Sequence, residues 1–340
     1  MYWYYKYTFW LIILIILIGV GNLAWRRFHP ASGSPEDPVT VGTEVVLPFP
    51  VPDSVDDTPV VPPPATGADG GSDQVADPPD VAVAPSQPVT PPAVLSQAVE
   101  RRLSTAEEQL AKQNLVGARI LAHKVTETDG VVKYGAVWER AVAVISQANT
   151  ALFNCDAPAP EKVSYKVREG DSLVRIAYRH KTTVGALQRL NRLDPTDSTI
   201  FAGNILYVYE CDWWISVTKS KFRLLLMNGD ELFKCYPACI GRQNRTPVGI
   251  FEVNNKVLHP PWKDIPYGHP ENVLGTHWLG LKPIEGTDLR LIGYGIHGTW
   301  EPETIGTSAS QGCIRLRNED VAELFDLVPS GIRVVIKDDE

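Results

Sequence analysis

The hydrophobic pattern changes four times along the chain, and it begins with an unbroken apolar run. From Tyr7 to Trp25 there is no charged residue, and tyrosine or tryptophan stands at both edges of the run. At a rise of about 1.5 Å per residue, a helix over these positions spans roughly 28 Å, close to the hydrocarbon thickness of a bilayer. Residues 1–30 are therefore predicted to be a transmembrane signal anchor, with a cleaved signal peptide as the alternative.

Residues 31–92 have neither a helical nor a strand period. They hold fifteen of the 28 prolines and ten acidic residues, with no lysine or arginine. A segment of this composition buries too little apolar surface to offset the entropy that it would lose on ordering. It is predicted to be a disordered, acidic, proline-rich linker.

Over residues 93–153 the apolar positions recur at spacings of three and four. Leu95, Val99 and Leu103 open the pattern, which returns in "YGAVWERAVAVISQANTALF". This spacing predicts three amphipathic helices. The stretch "AEEQLAKQNLVGARILAHKV" resembles a tetratricopeptide-type helical hairpin, although a single repeat does not form a solenoid. A simple three-helix packing or spacer module is the alternative.

Residues 163–210 change pattern twice within fewer than fifty positions. A short strand over Ser164–Val167 is followed by a helix that Asp171 or Ser172 caps, and a second helix starts at Thr183. A closing strand is predicted over Ile205–Tyr209. The pattern therefore indicates a small β-α-α-β domain.

From Trp213 onward the apolar positions alternate with polar ones, as in "WWISVTKSKFRLLLMNGDELF". Asn228-Gly229 between two such runs is typical of a hairpin turn. One helix is predicted at "NEDVAELFDLV" before the last strand, "GIRVVI". Residues 213–338 are thus predicted to be a mainly-β, β-sandwich-like domain, and the chain as a whole is predicted to be multidomain.

The net charge of −8 arises in the linker. Without its ten acids, 40 − 10 = 30 acidic residues remain against 32 basic ones. No dense basic run occurs anywhere in the chain, which argues against a nucleic-acid partner.

Cys313 stands in "SASQGCIRL", sixteen positions after the histidine of "GIHGT". It could be an inert core thiol, half of a disulfide or a nucleophile. Its neighbours are glycine, serine, glutamine and arginine rather than apolar residues, which disfavours the core thiol. As a nucleophile it would need a base, and a nearby imidazole such as His297 raises the thiolate fraction. The backbone amides of residues 311–313 could then stabilise an oxyanion.

The other cysteines bear on whether Cys313 is free. Cys155 and Cys211 bracket the β-α-α-β unit, whose terminal strands should pair, so a disulfide between them is predicted. Cys235 and Cys239 are about 13 Å apart in an extended strand, too far for a bond unless the chain bulges between them. In either case Cys313 is expected to stay unpaired.

His259 and His269 are the remaining candidates for a metal site. They belong to no H-x-x-x-H helix and to no carboxylate–histidine set at ligand spacing. Neither a metal nor a cofactor is expected.

The β-α-α-β unit resembles the LysM domain closely. The matching positions are Tyr165, Val167, Gly170, Asp171, Ser172, Leu173, Ile176, Ala177, Leu187, Asn191, Ile200, Gly203 and Leu206. The resemblance implies a shallow groove for N-acetylglucosamine-containing glycans. On this chain that groove would be formed by Gly170, Asp171, Ser172, Leu173 and the stretch 197–200, which ends at Ile200. A copy that serves only as a spacer is the alternative.

The C-terminal domain resembles the YkuD-type L,D-transpeptidase catalytic domain. The motif reads Gly295-Ile296-His297-Gly298-Thr299 and then Ser310-Gln311-Gly312-Cys313-Ile314-Arg315-Leu316. The resemblance implies a cysteine nucleophile at Cys313, a base at His297 and a ring-orienting carbonyl at Gly298. The family commonly has histidine where this chain has Gln311, which leaves the nucleophile–base pair intact.

Residues around this pair are predicted to bind substrate. Arg315 would bind a stem carboxylate through its planar guanidinium, with a structural salt bridge as the alternative. The full set is Arg315, Ser310, Gln311, Gly312, Tyr294 and His277.

The resemblance implies a wall enzyme that transfers an acyl group from a peptidoglycan tetrapeptide stem to an acceptor amine, with loss of the terminal D-Ala. Its partners would be glycan strands, stem peptides and the membrane. Its catalytic domain would lie in the periplasm or cell-wall space of a bacterium. An L,D-carboxypeptidase on the same scaffold and a non-catalytic wall tether are the alternatives.

Overall fold

The computed structural model of the protein describes residues 93–284 and 286–339. The predicted anchor, residues 1–30, and the predicted linker, residues 31–92, lie outside these ranges. Within them, no helix is both long enough and apolar enough to cross a membrane.

The first part of the described chain consists of three helices, as the apolar spacing predicts. They are Ala93–Ala111 (α1), Leu115–Thr126 (α2) and Ala136–Asn154 (α3). Their shared core contains fully buried Leu103, Ala118 and Ile145. A second side of α3 packs Trp138 and Val142 against Leu225 of the C-terminal domain. The helical part is therefore attached to the C-terminal domain along its length.

The β-α-α-β unit has the predicted order of elements. They are Lys162–Lys166 (β1), Leu173–Arg179 (α4), Val184–Leu190 (α5) and Ile205–Tyr209 (β2). β1 and β2 pair antiparallel. Each short helix has a side-chain cap, because the Ser172 hydroxyl accepts from Arg175 N at 3.3 Å and the Thr183 hydroxyl accepts from Ala186 N at 2.8 Å.

The C-terminal domain is mainly β, as its period of two predicts. Its strands are Trp213–Thr218 (β3), Arg223–Asn228 (β4), Glu231–Pro237 (β5), Ile240–Gly241 (β6), Gly249–Leu258 (β7), His277–Pro283 (β8), Gly295–His297 (β9), Ser308–Ser310 (β10), Ile314–Arg315 (β11) and Arg333–Lys337 (β12). Eight of them form one sheet in the order β11-β9-β8-β7-β12-β3-β4-β5, and β6 pairs with β10 separately. The helix Asn318–Leu327 (α6) buries Val321, Leu324 and Leu327 in the core of this domain.

The three parts share one interior. Ala186 and Leu190 of α5 and Tyr209 of β2 belong to the same buried cluster as Trp213 and Phe233 of the C-terminal domain. Separating the two domains would expose the apolar surface of both to water, which is unfavourable.

A buried polar network connects the same parts. The guanidinium of Arg119 in α2 donates from Nη1 to Asn149 Oδ1 at 3.0 Å and to Glu161 Oε1 at 2.9 Å. The amide of Asn149 in α3 donates to the Phe233 carbonyl of β5 at 2.8 Å. Because each buried group has a partner, separating the parts would leave several of them unsatisfied.

Candidate active site

The pairing of two short strands brings Cys313 and His297 to one face of the sheet. β9 and β11 are parallel, with Ile296 opposite Ile314 and His297 opposite Arg315. Ile296 and Ile314 are 0% and 1% exposed and therefore point into the core. Because side chains alternate along a strand, the residues next to each of them point to the other face. Cys313, next before Ile314, therefore lies on the same face as His297. A sequence separation of sixteen residues could not reveal this.

The imidazole of His297 is held in one tautomer. Its Nδ1 lies 2.6 Å from the carbonyl oxygen of Gly298. A carbonyl only accepts, so Nδ1 carries the hydrogen and Nε2 is the acceptor of the neutral ring. The ring is buried and lies parallel to the indole of Trp278, with 5.8 Å between ring centroids. Burial, with a smaller contribution from the Arg315 charge, lowers the pKa of His297 to about 4, against the smaller opposing effects of the Gly298 and Leu274 carbonyls.

The thiol of Cys313 is half-buried, and its Sγ lies 3.9 Å from the carbonyl oxygen of Gly293. Burial raises the pKa of Cys313 to about 11, and the Gly295 amide and the Arg315 charge offset this only in part. Thiol and imidazole are thus both neutral at physiological pH. This differs from the expectation that the nearby imidazole enriches the thiolate, because burial penalises both charged forms.

Ser310 shapes the turn before the cysteine instead of facing a substrate. Its hydroxyl donates to the Cys313 carbonyl at 2.6 Å and accepts from Gly312 N at 3.1 Å, and the residue is 1% exposed. The prediction that Ser310 binds substrate is therefore wrong. The same contact occupies the Gly312 amide, which is not available to an oxyanion.

Gly312 is required by its surroundings. Its φ of +144° is strained for other residues, and a Cβ there would lie 2.9 Å from the ring of Tyr294. The Gly312 carbonyl accepts from the hydroxyl of Thr246 at 2.8 Å, and that hydroxyl accepts from Gly241 N at 2.7 Å. Thr246 stands in a Thr-Pro pair that fits the family resemblance, but the sequence did not identify it as a residue of the site.

Arg315 is paired within the protein. Its Nη1 donates to Glu301 Oε2 at 2.8 Å, and the arginine is 9% exposed while Glu301 is exposed. Nε of Arg315 is buried without a hydrogen-bond partner among the described residues. The salt-bridge alternative is thus present, and the guanidinium also lies on the face that carries Cys313.

The other predicted substrate-binding residues divide between the two faces. Tyr294 packs on Gly312, and burial together with the nearby Cys313 raises the pKa of its hydroxyl. Gln311 is exposed.

His277 does not lie beside Cys313. It precedes Trp278, which pairs with His297, and its ring packs on Phe325 of α6 with ring centroids 4.8 Å apart. Adjacent residues of a strand face opposite ways, so the prediction that His277 lines the site is wrong.

All five cysteines are free thiols. The predicted disulfide between Cys155 and Cys211 is absent: the Cys155 thiol donates towards the Leu152 carbonyl at 3.8 Å, and Cys211 packs against the core. Burial raises the pKa of Cys235 to about 12 and also raises that of Cys211, so these thiols stay protonated.

Most of the predicted glycan-binding residues of the β-α-α-β unit have structural contacts. Leu173 is 1% exposed and belongs to the core of the unit, so its side chain does not line a groove. The carboxylate of Asp171 accepts from the Tyr165 hydroxyl at 2.6 Å and from Arg168 N at 2.9 Å, and the Tyr165 contact is the largest cause that lowers the pKa of Asp171 to about 2. Ile200 is half-buried against the core.

The backbone of Gly170 and the cap Ser172 remain exposed. Gly170 has a φ of +78°, and its carbonyl accepts from the Arg175 guanidinium at 2.5 Å. The loop is therefore ordered by its own hydrogen bonds, and its backbone stays exposed to solvent.

Comparison with known proteins identifies two domain families. Residues 212–336 match the model of the YkuD L,D-transpeptidase catalytic domain, and residues 165–208 match that of the LysM domain.

Two curated relatives cover about half of this chain. YkuD of Bacillus subtilis (strain 168), assigned as an L,D-transpeptidase, is 32% identical over 181 residues, which are 51% of this chain and 98% of the relative. YkuD of Bacillus licheniformis, with the same assignment, is 35% identical over 179 residues, 51% of this chain and 97% of the relative. Among solved structures, the catalytic domain of an Enterococcus faecium L,D-transpeptidase is 25% identical and 97% covered, against 37% of this chain, with a TM-score of 0.30.

Proposed function

The chain belongs to the YkuD family of L,D-transpeptidases, and from this we propose that Cys313 and His297 carry out its acyl transfer on peptidoglycan stem peptides. The observation that supports these roles is the placement of a thiol and a tautomer-fixed imidazole on one face of adjoining strands. The imidazole presents an unprotonated Nε2, which is the form that a general base needs.

The first half-reaction forms a thioester. Sγ of Cys313 attacks the carbonyl carbon at the L-centre of the stem's diamino acid while its proton moves to Nε2 of His297. The tetrahedral intermediate then collapses, and the amine of the terminal D-Ala leaves with that proton. Because both groups begin neutral, proton transfer accompanies attack, and no thiolate–imidazolium pair has to exist beforehand.

The second half-reaction reverses the order. An acceptor amine attacks the thioester carbonyl and gives a proton to His297, which returns it to the departing sulfur of Cys313. The Gly298 carbonyl keeps the ring oriented through both steps, a part that a carboxylate or amide takes in other triads. Its neutral oxygen stabilises an imidazolium less than a carboxylate would, which suits a ring that must release its proton.

The remaining groups near Cys313 would position the stem. Arg315 carries a positive charge on the face of attack, and the exposed Glu301 that holds it could yield to a stem carboxylate. The ring of Tyr294 lies beside Gly312 and would form one side of the substrate site. Gln311 is exposed next to the nucleophile and, as a neutral amide, adds no titrating group.

The test is incubation of the purified full-length chain with a disaccharide-tetrapeptide, followed by mass spectrometry of the products. We expect a cross-linked dimer that has lost one D-Ala. A tripeptide product without a dimer would mean that water is the acceptor and that the enzyme is an L,D-carboxypeptidase. Bound but unchanged substrate would support the non-catalytic tether instead.

The LysM domain gives the chain a second contact with peptidoglycan. We propose that the loop at Gly170–Ser172 and the stretch 197–200 form its glycan groove. A test by deletion of the domain is not informative, because Leu190 and Tyr209 belong to the core that it shares with the catalytic domain.

A single substitution tests the groove without disrupting the core that the two domains share. Phe201 follows directly after Ile200, is 68% exposed, and has its amide held by Asn204 Oδ1 at 3.0 Å. Phe201→Ala should weaken co-sedimentation with insoluble peptidoglycan by about five- to twentyfold, or about 1–1.8 kcal/mol, because a ring covered only in part by a ligand contributes less than the roughly 1.5–3 kcal/mol of full burial. Ile205→Ala removes a similarly exposed apolar side chain from β2 and should have no effect. Equal loss in both variants would contradict the placement of the groove.

Peptidoglycan lies outside the cytoplasm, so the two matched domains act there. We propose further that the apolar run at residues 7–25 holds the enzyme at the membrane. The full chain should then remain in the membrane pellet after an alkaline wash, and a chain without residues 1–30 should not.

A further inference from the structure

Three aromatic rings form a cluster on the surface, in which two are stacked and the third is tilted against them. The rings of His259 and Tyr267 lie 4.1 Å apart at an interplanar angle of 23°, and the Trp300 ring is 6.1 Å from that of Tyr267. All three residues are exposed, Tyr267 by 37% and Trp300 by 47%. We call His259, Tyr267 and Trp300 the aromatic shelf. None of the steps described above uses it.

The segment that carries the shelf, residues 259–276 between β7 and β8, has a fixed backbone. Asn272 is 1% exposed, and its amide donates to the carbonyls of Pro260 at 3.0 Å and Ile265 at 3.3 Å while its oxygen accepts from Leu274 N at 2.9 Å. His259 has a left-handed φ of +52°, and its amide donates to the Thr276 carbonyl at 2.9 Å. Rings held in this way lose little conformational freedom when a ligand binds.

The shelf is connected to the active site by close contacts. Gly275 has a φ of +64°, and a Cβ there would lie 2.5 Å from the carbonyl carbon of Gly298, the residue that orients His297. Asn318 joins the same two segments, since it donates to the Thr299 carbonyl at 2.9 Å and accepts from Thr276 N at 3.1 Å. Trp300 follows Thr299 directly. Glu301, which follows Trp300, pairs with Arg315 on the face that carries Cys313, so the Trp300 end of the shelf lies near that face.

We propose that the aromatic shelf binds the sugar ring to which the donor stem peptide is attached. This proposal rests on the proposed function, since it assigns a further part of the same substrate. The flat face of a pyranose presents C–H groups, which pack favourably on the electron-rich face of an aromatic ring. The stem has no ring of its own, and its carboxylates are suited to Arg315. An exposed cluster of aromatic rings on a hydrogen-bonded segment matches the one cyclic part of the substrate.

The test compares two substrates that differ only in the sugar. For the full-length chain and its Tyr267→Ala and Trp300→Ala variants, kcat/KM is measured with a disaccharide-tetrapeptide and with the same tetrapeptide without sugar. We expect each variant to lose at least about tenfold on the sugar-bearing substrate and less than about twofold on the free peptide. Tyr267→Phe keeps the ring and should behave as wild type. Thermal unfolding midpoints check that the segment still folds.

Equal losses on both substrates, or no loss on either, would overturn the proposal, because the shelf would then be structural or would contact peptide. Failure of the proposed function gives a different result, in which the unsubstituted chain turns over neither substrate. In that case the shelf proposal is tested by the dissociation constant for the disaccharide-tetrapeptide. The Tyr267→Ala and Trp300→Ala variants should bind it more weakly than wild type, while their binding of the free peptide is unchanged. The LysM contribution is common to all of these proteins and cancels in the comparison.

Discussion

Cys313→Ala is expected to abolish thioester formation and to leave the fold intact. The half-buried thiol contributes little to the core, but its removal takes away the proposed acyl acceptor. The loss in acyl transfer should be at least about 10⁴-fold, or about 5.5 kcal/mol in the barrier, as for other enzymes that lose their nucleophile. Intact-mass spectrometry after incubation with a stem peptide or a carbapenem measures the adduct directly.

Another cysteine provides the matched control. Cys155 is also a half-buried free thiol, but it lies at the end of α3 and should not be acylated. Cys155→Ala should form the adduct at the wild-type rate. An adduct on Cys313→Ala, or its loss from Cys155→Ala, would show that the nucleophile has been assigned to the wrong residue.

His297→Ala should lower the acylation rate constant by about 10²- to 10⁴-fold and change its dependence on pH. In the wild type the rate should fall only as pH drops through the pKa of His297, which burial lowers to about 4, since protonated imidazole cannot accept the thiol proton. Activity should therefore persist below the pKa of about 6.5 that is usual for histidine. Without the base, reaction needs a preformed thiolate, so the rate should rise about tenfold per pH unit towards the pKa of Cys313, about 11.

The measurement is the adduct formation rate of both proteins from acidic pH, below the expected pKa of about 4, to alkaline pH. His277→Gln is the control, because His277 lies on the opposite face of the sheet against Phe325 and should change the rate by less than about threefold. A wild-type profile with an inflection near 6.5 would mean that water reaches the imidazole. A loss in His277→Gln as large as in His297→Ala would return His277 to the site.

Local patterns predicted the elements of this protein because they depend on neighbours in sequence. The three- and four-residue spacing gave α1 to α3, and the alternation around Asn228-Gly229 gave the hairpin of β4 and β5. The candidate nucleophile Cys313 and the candidate base His297 were named from a motif, and their roles stay predictions. The errors concern the environment of single side chains: the register between β8 and β9 places His277 away from His297, and the turn at residues 310–313 uses the Ser310 hydroxyl internally.

Features that join distant segments had no local signal. Thr246 is 66 residues from the Gly312 carbonyl that it contacts, and Asn318 joins two segments that are 23 residues apart in the chain. The protonation states could not be predicted either, because they depend on how far burial removes Cys313 and His297 from water. The Cys155–Cys211 disulfide was inferred from strand pairing, but the pairing of β1 with β2 does not bring these flanking cysteines into a bond.

The core that the LysM and catalytic domains share has a consequence for where a cross-link can form. A flexible tether would let the catalytic cysteine sample every stem within its reach, at an effective concentration set by tether length. Here Leu190 and Tyr209 pack into the interior of the catalytic domain, so the proposed glycan groove and Cys313 are connected by packed side chains and not by a flexible tether. A glycan strand bound in the groove would present to Cys313 only those stem peptides that lie at a fixed distance along the glycan from the bound sugars. The enzyme would then choose its substrate by position on the strand as well as by chemistry.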